Sequence, residues 1–155
     1  MADVRLVIDI HRHFDAPRDR VYQAFTDEHE LATWFGPLGS WVVPGTVSID
    51  VRVGGHRRLT MATYSGTMSW TIETTYTEVV ENERLIGYET VSGFPAFDGI
   101  APFMVSLEFF DEIGGTRVEL RVDPCPRDVE ATGREFWMQS FSKLDQFLAD
   151  QDRSA

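Results

Sequence analysis

Near residue 128 the apolar pattern of this chain changes period. Upstream, apolar residues recur at every second position, as in Phe103, Val105, Leu107 and Phe109. From about Asp128 to Asp150 they recur at helical spacing: Phe136 and Trp137, Ser140 and Phe141, Leu144, then Phe147 and Leu148. Period two buries one face of a strand, and period 3.6 buries one stripe of a helix. Many strands followed by one long helix make an α+β layer architecture, with the helix laid on the sheet. The lengths agree. A helix over that segment is roughly 33 Å long at ~1.5 Å per residue. A ten-residue strand is of similar length at ~3.3 Å per residue. Gly133 inside the helix costs ~1 kcal/mol relative to alanine. Either a close helix–sheet approach explains it, or the helix starts later.

The rest of the pattern fills in the sheet. Val4 to Phe14 alternates as a strand. Asp15-Ala16-Pro17 reads as a helix start, with Asp15 as cap and Pro17 in the first turn. Val21, Ala24 and Phe25 share a helical face. Asp27 and Glu30 stand at capping-box spacing ahead of a second short helix that stops at Gly36-Pro37. Strands then follow over Trp41–Val43, Val47–Val53, His56–Tyr64, Met68–Tyr76, Arg84–Val91, Phe103–Phe109 and Val118–Val122. Gly54-Gly55, Ser65-Gly66 and Gly114-Gly115 supply turns between them. Hairpin-length connections predict antiparallel pairing. The expectation is a curved antiparallel sheet of about six to seven strands wrapped around a long C-terminal helix, with two short helices after the first strand. The 155 residues read as a single domain, 1–155, with its core over about 6–149.

Composition removes several functions. The formal net charge is −11, which repels phosphate backbones and anionic bilayers, so neither nucleic acid nor membrane is an expected partner. No apolar run approaches the ~20 residues of a membrane span, and the N-terminus has no signal-peptide pattern. A cytoplasmic location is expected. Cys125 is the single cysteine, so there is no internal disulfide and no zinc-type cysteine spacing. His11 and His13 share a strand face without a third ligand at a recognisable spacing, and read as surface residues; His56 reads likewise. No metal and no cofactor is expected. Cys125 lacks a placed histidine, so no nucleophile–base arrangement stands out. Neither Gly-Gly pair precedes the helix that a phosphate loop needs. Glu73, Glu78, Glu89, Glu108 and Glu119 read as solvated strand faces. Arg52 is either solvated or reaches a pocket carboxylate.

The order of motifs resembles a known family. Phe14-Asp15-Ala16-Pro17 is followed by Val21-Tyr22-Gln23-Ala24-Phe25-Thr26-Asp27, Leu31, Trp34-Phe35-Gly36-Pro37 and Val51-Arg52-Val53-Gly54-Gly55. Glu83-Arg84-Leu85, Gly114-Gly115-Thr116-Arg117-Val118 and the helix with Phe136-Trp137, Leu144 and Leu148 complete the set. The chain resembles the START-like (SRPBCC, birch-pollen-allergen-like) helix-grip proteins, and within them the activator of 90-kDa heat-shock-protein ATPase homologue 1-like domain. The resemblance covers about residues 6–149. It implies a helix-grip fold with a cavity between sheet and helix, and a superfamily that binds lipids, hormones, polyketides and other apolar molecules, with some cyclases and hydratases. The chain departs from the family in carrying Phe136 where a glycine usually precedes the tryptophan. It also carries a longer loop, Ser92–Pro102, with Phe94 and Phe97.

Nineteen aromatic rings (11 Phe, 4 Trp, 4 Tyr) can fill a core or line a pocket. The candidate lining is Trp34, Phe35, Trp41, Met61, Trp70, Phe94, Phe97, Met104, Phe136 and Trp137. Ser140 is a lone hydroxyl on the helix's inner stripe; it either orients a ligand or allows close packing. The expected function is non-covalent binding of a hydrophobic or aromatic small molecule. A polyketide-cyclase-like enzyme is the first alternative, favoured by a titratable pair aimed at one point. A chaperone or stress-response partner-binding protein is the second, and needs an exposed groove outside the sheet. A homodimer through the sheet edge stays open.

Overall fold

A computed structural model describes residues 5–154. The chain opens with strand β1 (Arg5–Phe14) and two short helices, α1 (Arg18–Thr26) and α2 (Glu28–Trp34). Strands β2 (Ser40–Val42), β3 (Ser48–Ile49), β4 (His56–Thr63), β5 (Ser69–Val80) and β6 (Arg84–Ser92) follow. A 3-10 turn at Pro95–Phe97 leads to β7 (Phe103–Glu112), β8 (Gly115–Pro126) and the long helix α3 (Arg127–Ser154). The eight strands form one antiparallel sheet in the order β1-β8-β7-β6-β5-β4-β2, with β3 paired to β4. The expected α+β helix-grip fold is the one observed. Eight strands form where about six to seven are expected, and two of them are only three and two residues long.

Three local expectations are corrected. The Val47–Val53 alternation pairs only at Ser48–Ile49. From Asp50 the chain turns, and the Asp50 carbonyl accepts from Arg52 and His56 N–H. A Cβ on Gly55 would lie 2.1 Å from that carbonyl oxygen, so the tight turn excludes any side chain there. Asp15 does not cap α1. Pro17 stands at the N-cap without a side-chain bond, while the Asp15 carboxylate lies 2.9 Å from His13 Nε2. Asp27 does cap α2, accepting the Glu30 N–H at 3.0 Å. Glu89, expected on a solvated strand face, is buried.

Gly133 lies inside α3, and its missing side chain is explained by contact. A Cβ there would sit 3.0 Å from Ile8 Cδ1 of β1. The helix therefore starts early and approaches the sheet closely.

The two halves of α3 meet different surroundings. Its C-terminal half is packed solid. Phe141 sets its ring against Phe14 and Phe25, with centroids 5.6 and 6.4 Å apart, and Phe25 touches Phe109 and Trp34 at 5.5 and 4.9 Å. Phe141 and Leu144 are fully buried. Each buried ring of this kind stabilises the fold by about 1.5–3 kcal/mol. Between the N-terminal half of α3 and the sheet, space remains.

Candidate functional site

A cavity lies between the first turns of α3 and the concave face of the sheet. Its volume is about 60 Å³, and about 630 Å³ of atom-free space surrounds it once its solvent-open mouth is counted. One water needs roughly 10–15 Å³ on the narrower measure, so the hollow has room for only a few waters. Helix α3 contributes Val129, Thr132, Gly133, Phe136 and Trp137. The sheet contributes Ile8 from β1, Trp70 and Ile72 from β5, Glu89 and Val91 from β6, Phe103 from β7, and Val122 and Cys125 from β8. The loop after β6 contributes Phe94 and Phe97.

The aromatic lining falls into two groups of touching rings. Trp70 meets Phe94 edge-on at 5.2 Å, Phe94 meets Phe97 at 5.7 Å, and Phe97 tilts over Phe103 at 6.1 Å. Phe136 and Trp137 meet at 5.8 Å on the helix side. Phe94, Phe97 and Phe136 are only partly buried, so these three rings form the rim. Two of them belong to the long loop. The third, Phe136, stands on α3.

The structure brings Trp70, Phe94, Phe97, Phe136 and Trp137 together and places the other candidates elsewhere. Trp34 is core, and its indole N–H donates to the Ala24 carbonyl at 2.9 Å. Phe35 is core one layer behind the lining, touching Phe136 and Trp137 at 5.3 and 5.7 Å. Met61 is fully buried with its thioether against Gly36, where a Cβ would come within 2.0 Å of Met61 Cε. Trp41 points outward and is 44% exposed. Met104 is half-buried on a strand whose flanking residues Phe103 and Val105 face inward. Ser140 accepts the Gly36 N–H at 3.0 Å and donates to the Phe136 carbonyl at 2.7 Å. Its hydroxyl therefore ties α3 to the end of α2. Lys143 extends the same tie by donating to the Gly36 carbonyl at 3.1 Å, and partial burial pushes its ammonium pKa down.

The polar element at the cavity is Glu89, which the sequence reading placed among solvated residues. It is 4% exposed. Register explains why. Arg57 pairs with Thr74 across β4 and β5, and Thr74 pairs with Glu89 across β5 and β6. The three form one cross-strand row on the concave face. Arg57 Nη2 donates to Glu89 Oε1 at 2.9 Å, and Thr74 Oγ1 donates to the same oxygen at 3.2 Å. The guanidinium carbon stands 5.0 Å from the Phe35 ring centroid, a cation–π distance. Burial pushes the Glu89 carboxyl above its usual range, while Arg57 and Thr74 pull it down. Burial also raises the Tyr76 phenol and the Cys125 thiol. Parity was the available signal. Glu89 shares its strand face with Leu85 and Val91, and Arg57 shares one with Leu59 and Met61.

The histidines lie on the outside. His11 approaches Asp9 at 3.1 Å, and His13 sits between Glu112 and Asp15 at 2.6 and 2.9 Å. Those two carboxylates hold the His13 imidazole above its usual pKa. Arg52 pairs with Asp50 at the surface, 2.7 Å apart. Among the described residues no cluster of metal-ligating side chains forms.

Residues 15–149 match the model of the family described as Activator of Hsp90 ATPase homolog 1-like protein. The chain belongs to that family. Its helix-grip fold is the one seen in solved structures. A protein of Chromobacterium violaceum is 25% identical, with a TM-score of 0.78 over 91% of this chain and 96% of that one. The AHSA1 protein of Silicibacter pomeroyi is 20% identical, with a TM-score of 0.81 over 94% and 99%. An AHSA1-like protein of Aeromonas hydrophila is also 20% identical, with a TM-score of 0.72 over 95% and 94%. No curated protein matches the chain. No helix among the described residues is long and apolar enough to cross a membrane.

Proposed function

We propose that this AHSA1-like protein reversibly binds an apolar, ring-bearing small molecule between the sheet and the N-terminal half of α3. The observation that carries this reading is the unequal packing of α3. One half is filled by interlocking rings, and the other faces an unfilled, mainly aromatic hollow. An apolar hollow gains nothing from water and gains dispersion contacts from a guest. Phe94, Phe97 and Phe136 at the rim are the rings that turn aside to admit a body larger than the resting volume.

Two other readings are weaker. A cyclase-like enzyme finds support in the buried Glu89 carboxylate. Both of its hydrogen bonds, however, hold it to Arg57 and Thr74, and burial keeps the Cys125 thiol in its unreactive form. Action on a chaperone rests on the family's name. The outer sheet face is laced with ion pairs such as Arg58–Glu73, Arg84–Glu78 and Arg117–Glu119, which favours hydration over an apolar docking groove.

The test is a thermal shift with alkylbenzenes of increasing length. Binding raises the melting temperature with ligand concentration. A flat response across the series contradicts the proposal.

A further inference from the structure

We infer that the cavity selects a guest bearing a neutral hydroxyl at its inner end, donated to the free oxygen of Glu89. This rests on the binding reading above and names the ligand class for the same site.

Glu89 is the only ionisable carboxylate in the lining, and its side chain is 6% exposed. An ionised carboxylate offers about four acceptor positions on two oxygens. Both hydrogen bonds it receives fall on Oε1, from Arg57 and Thr74. Oε2 receives none among the described residues. The rest of the lining is nearly all apolar, so the protein supplies little to fill that acceptor. Oε2 is not among the fully buried side-chain atoms that lack a partner, so it stays open to water from the cavity, and a guest hydroxyl takes the place of that water.

Charge decides which donor fits. Arg57 lies 2.9 Å from Glu89, so the ionised pair is neutral as a whole. A cationic guest would add an uncompensated charge to an apolar site, which is strongly unfavourable. A guest carboxylate would place like charges together. A neutral alcohol or phenol meets neither penalty, and its O–H···O⁻ bond belongs to the stronger, charge-assisted class. The aromatic rim formed by Phe94, Phe97 and Phe136, with Trp70 behind it, suits a ring as the apolar body.

The experiment compares three probes with one apolar body: propylbenzene, 4-propylphenol and 4-propylbenzoate. Affinities are read by calorimetry at neutral pH. The phenol is expected to bind about tenfold tighter than the hydrocarbon, the value of one charge-assisted hydrogen bond. The benzoate is expected to bind more weakly than either. The double variant Arg57→Met with Glu89→Leu removes both charges and should bring phenol and hydrocarbon to about equal affinity. Glu89→Gln alone leaves the Arg57 charge uncancelled and should reverse the order, favouring the benzoate. If propylbenzene binds the native protein as tightly as the phenol, this proposal is overturned while the cavity reading stands. A phenol advantage that survives in the double variant also overturns it. If none of the three binds, both readings fall.

Discussion

Glu89 and Arg57 are 32 positions apart and meet at 2.9 Å because Thr74 stands between them in a single row across three strands. Both side chains are nearly sealed from water, at 6% and 5% exposure. Arg57 Nε is buried without a hydrogen-bond partner. A pair held this way constrains register more than it adds stability, because desolvation offsets much of the attraction.

Removing one partner should therefore be far worse than removing both. Arg57→Met leaves the Glu89 charge uncompensated and is expected to cost about 3–5 kcal/mol. Adding Glu89→Leu should recover most of that loss. Denaturant midpoints of the two variants check the order. Equal destabilisation would contradict it.

The same pair sets a pH dependence. Burial raises the Glu89 pKa in the folded state, whereas an unfolded glutamate titrates near ~4.3. The native state therefore binds more protons between the two values, and stability falls as pH rises through that window. The contribution is fully present below the unfolded pKa and lost above the folded one. Unfolding free energies of the native protein and of the Arg57→Met/Glu89→Leu variant, taken from about pH 4 to about pH 8, isolate the effect. The native protein should lose stability relative to the variant as pH rises. A constant difference would contradict this.

Gly133 offers a trade between stability and binding. Alanine there removes a helix penalty of about 1 kcal/mol, and the atom it crowds is the flexible tip of Ile8, which borders the cavity. Gly133→Ala is expected to raise the melting temperature, push Ile8 inward and weaken the binding of apolar probes. Higher stability with unchanged affinity would show that the Gly133 wall is not used.

Ser140 is expected to act on the fold alone. Ser140→Ala removes the acceptor of the Gly36 N–H and should cost about 1–3 kcal/mol. Probe affinity at a temperature where the variant is folded should be unchanged.

The fold was legible because its signals are local and repeated. Period two along β5 and β7 and helical spacing along α3 survive any detail of packing. Gly133 was legible as a problem, and only the Ile8 contact answers it. The site was half legible. Trp70, Phe94, Phe97, Phe136 and Trp137 converge on the cavity. Trp34, Phe35 and Met61 have the same chemistry but sit where α2 fills the space under α3. Single residue types do not distinguish a filled half of a helix from an unfilled one. Glu89 was missed because its charge outweighed its parity. Its place opposite Thr74, and that of Arg57 beyond, come from inter-strand register, a long-range property that hairpin spacing leaves open by a residue.

The four tryptophans allow the central claim to be measured directly. Trp70 and Trp137 line the cavity, Trp34 is locked in the core, and Trp41 faces solvent. Titrating ¹⁵N-labelled protein with 4-propylphenol should move the indole N–H resonances of Trp70 and Trp137 and leave those of Trp34 and Trp41 in place. Shifts confined to Trp41, or no saturable shift at any of the four, would contradict a guest between the helix and the sheet.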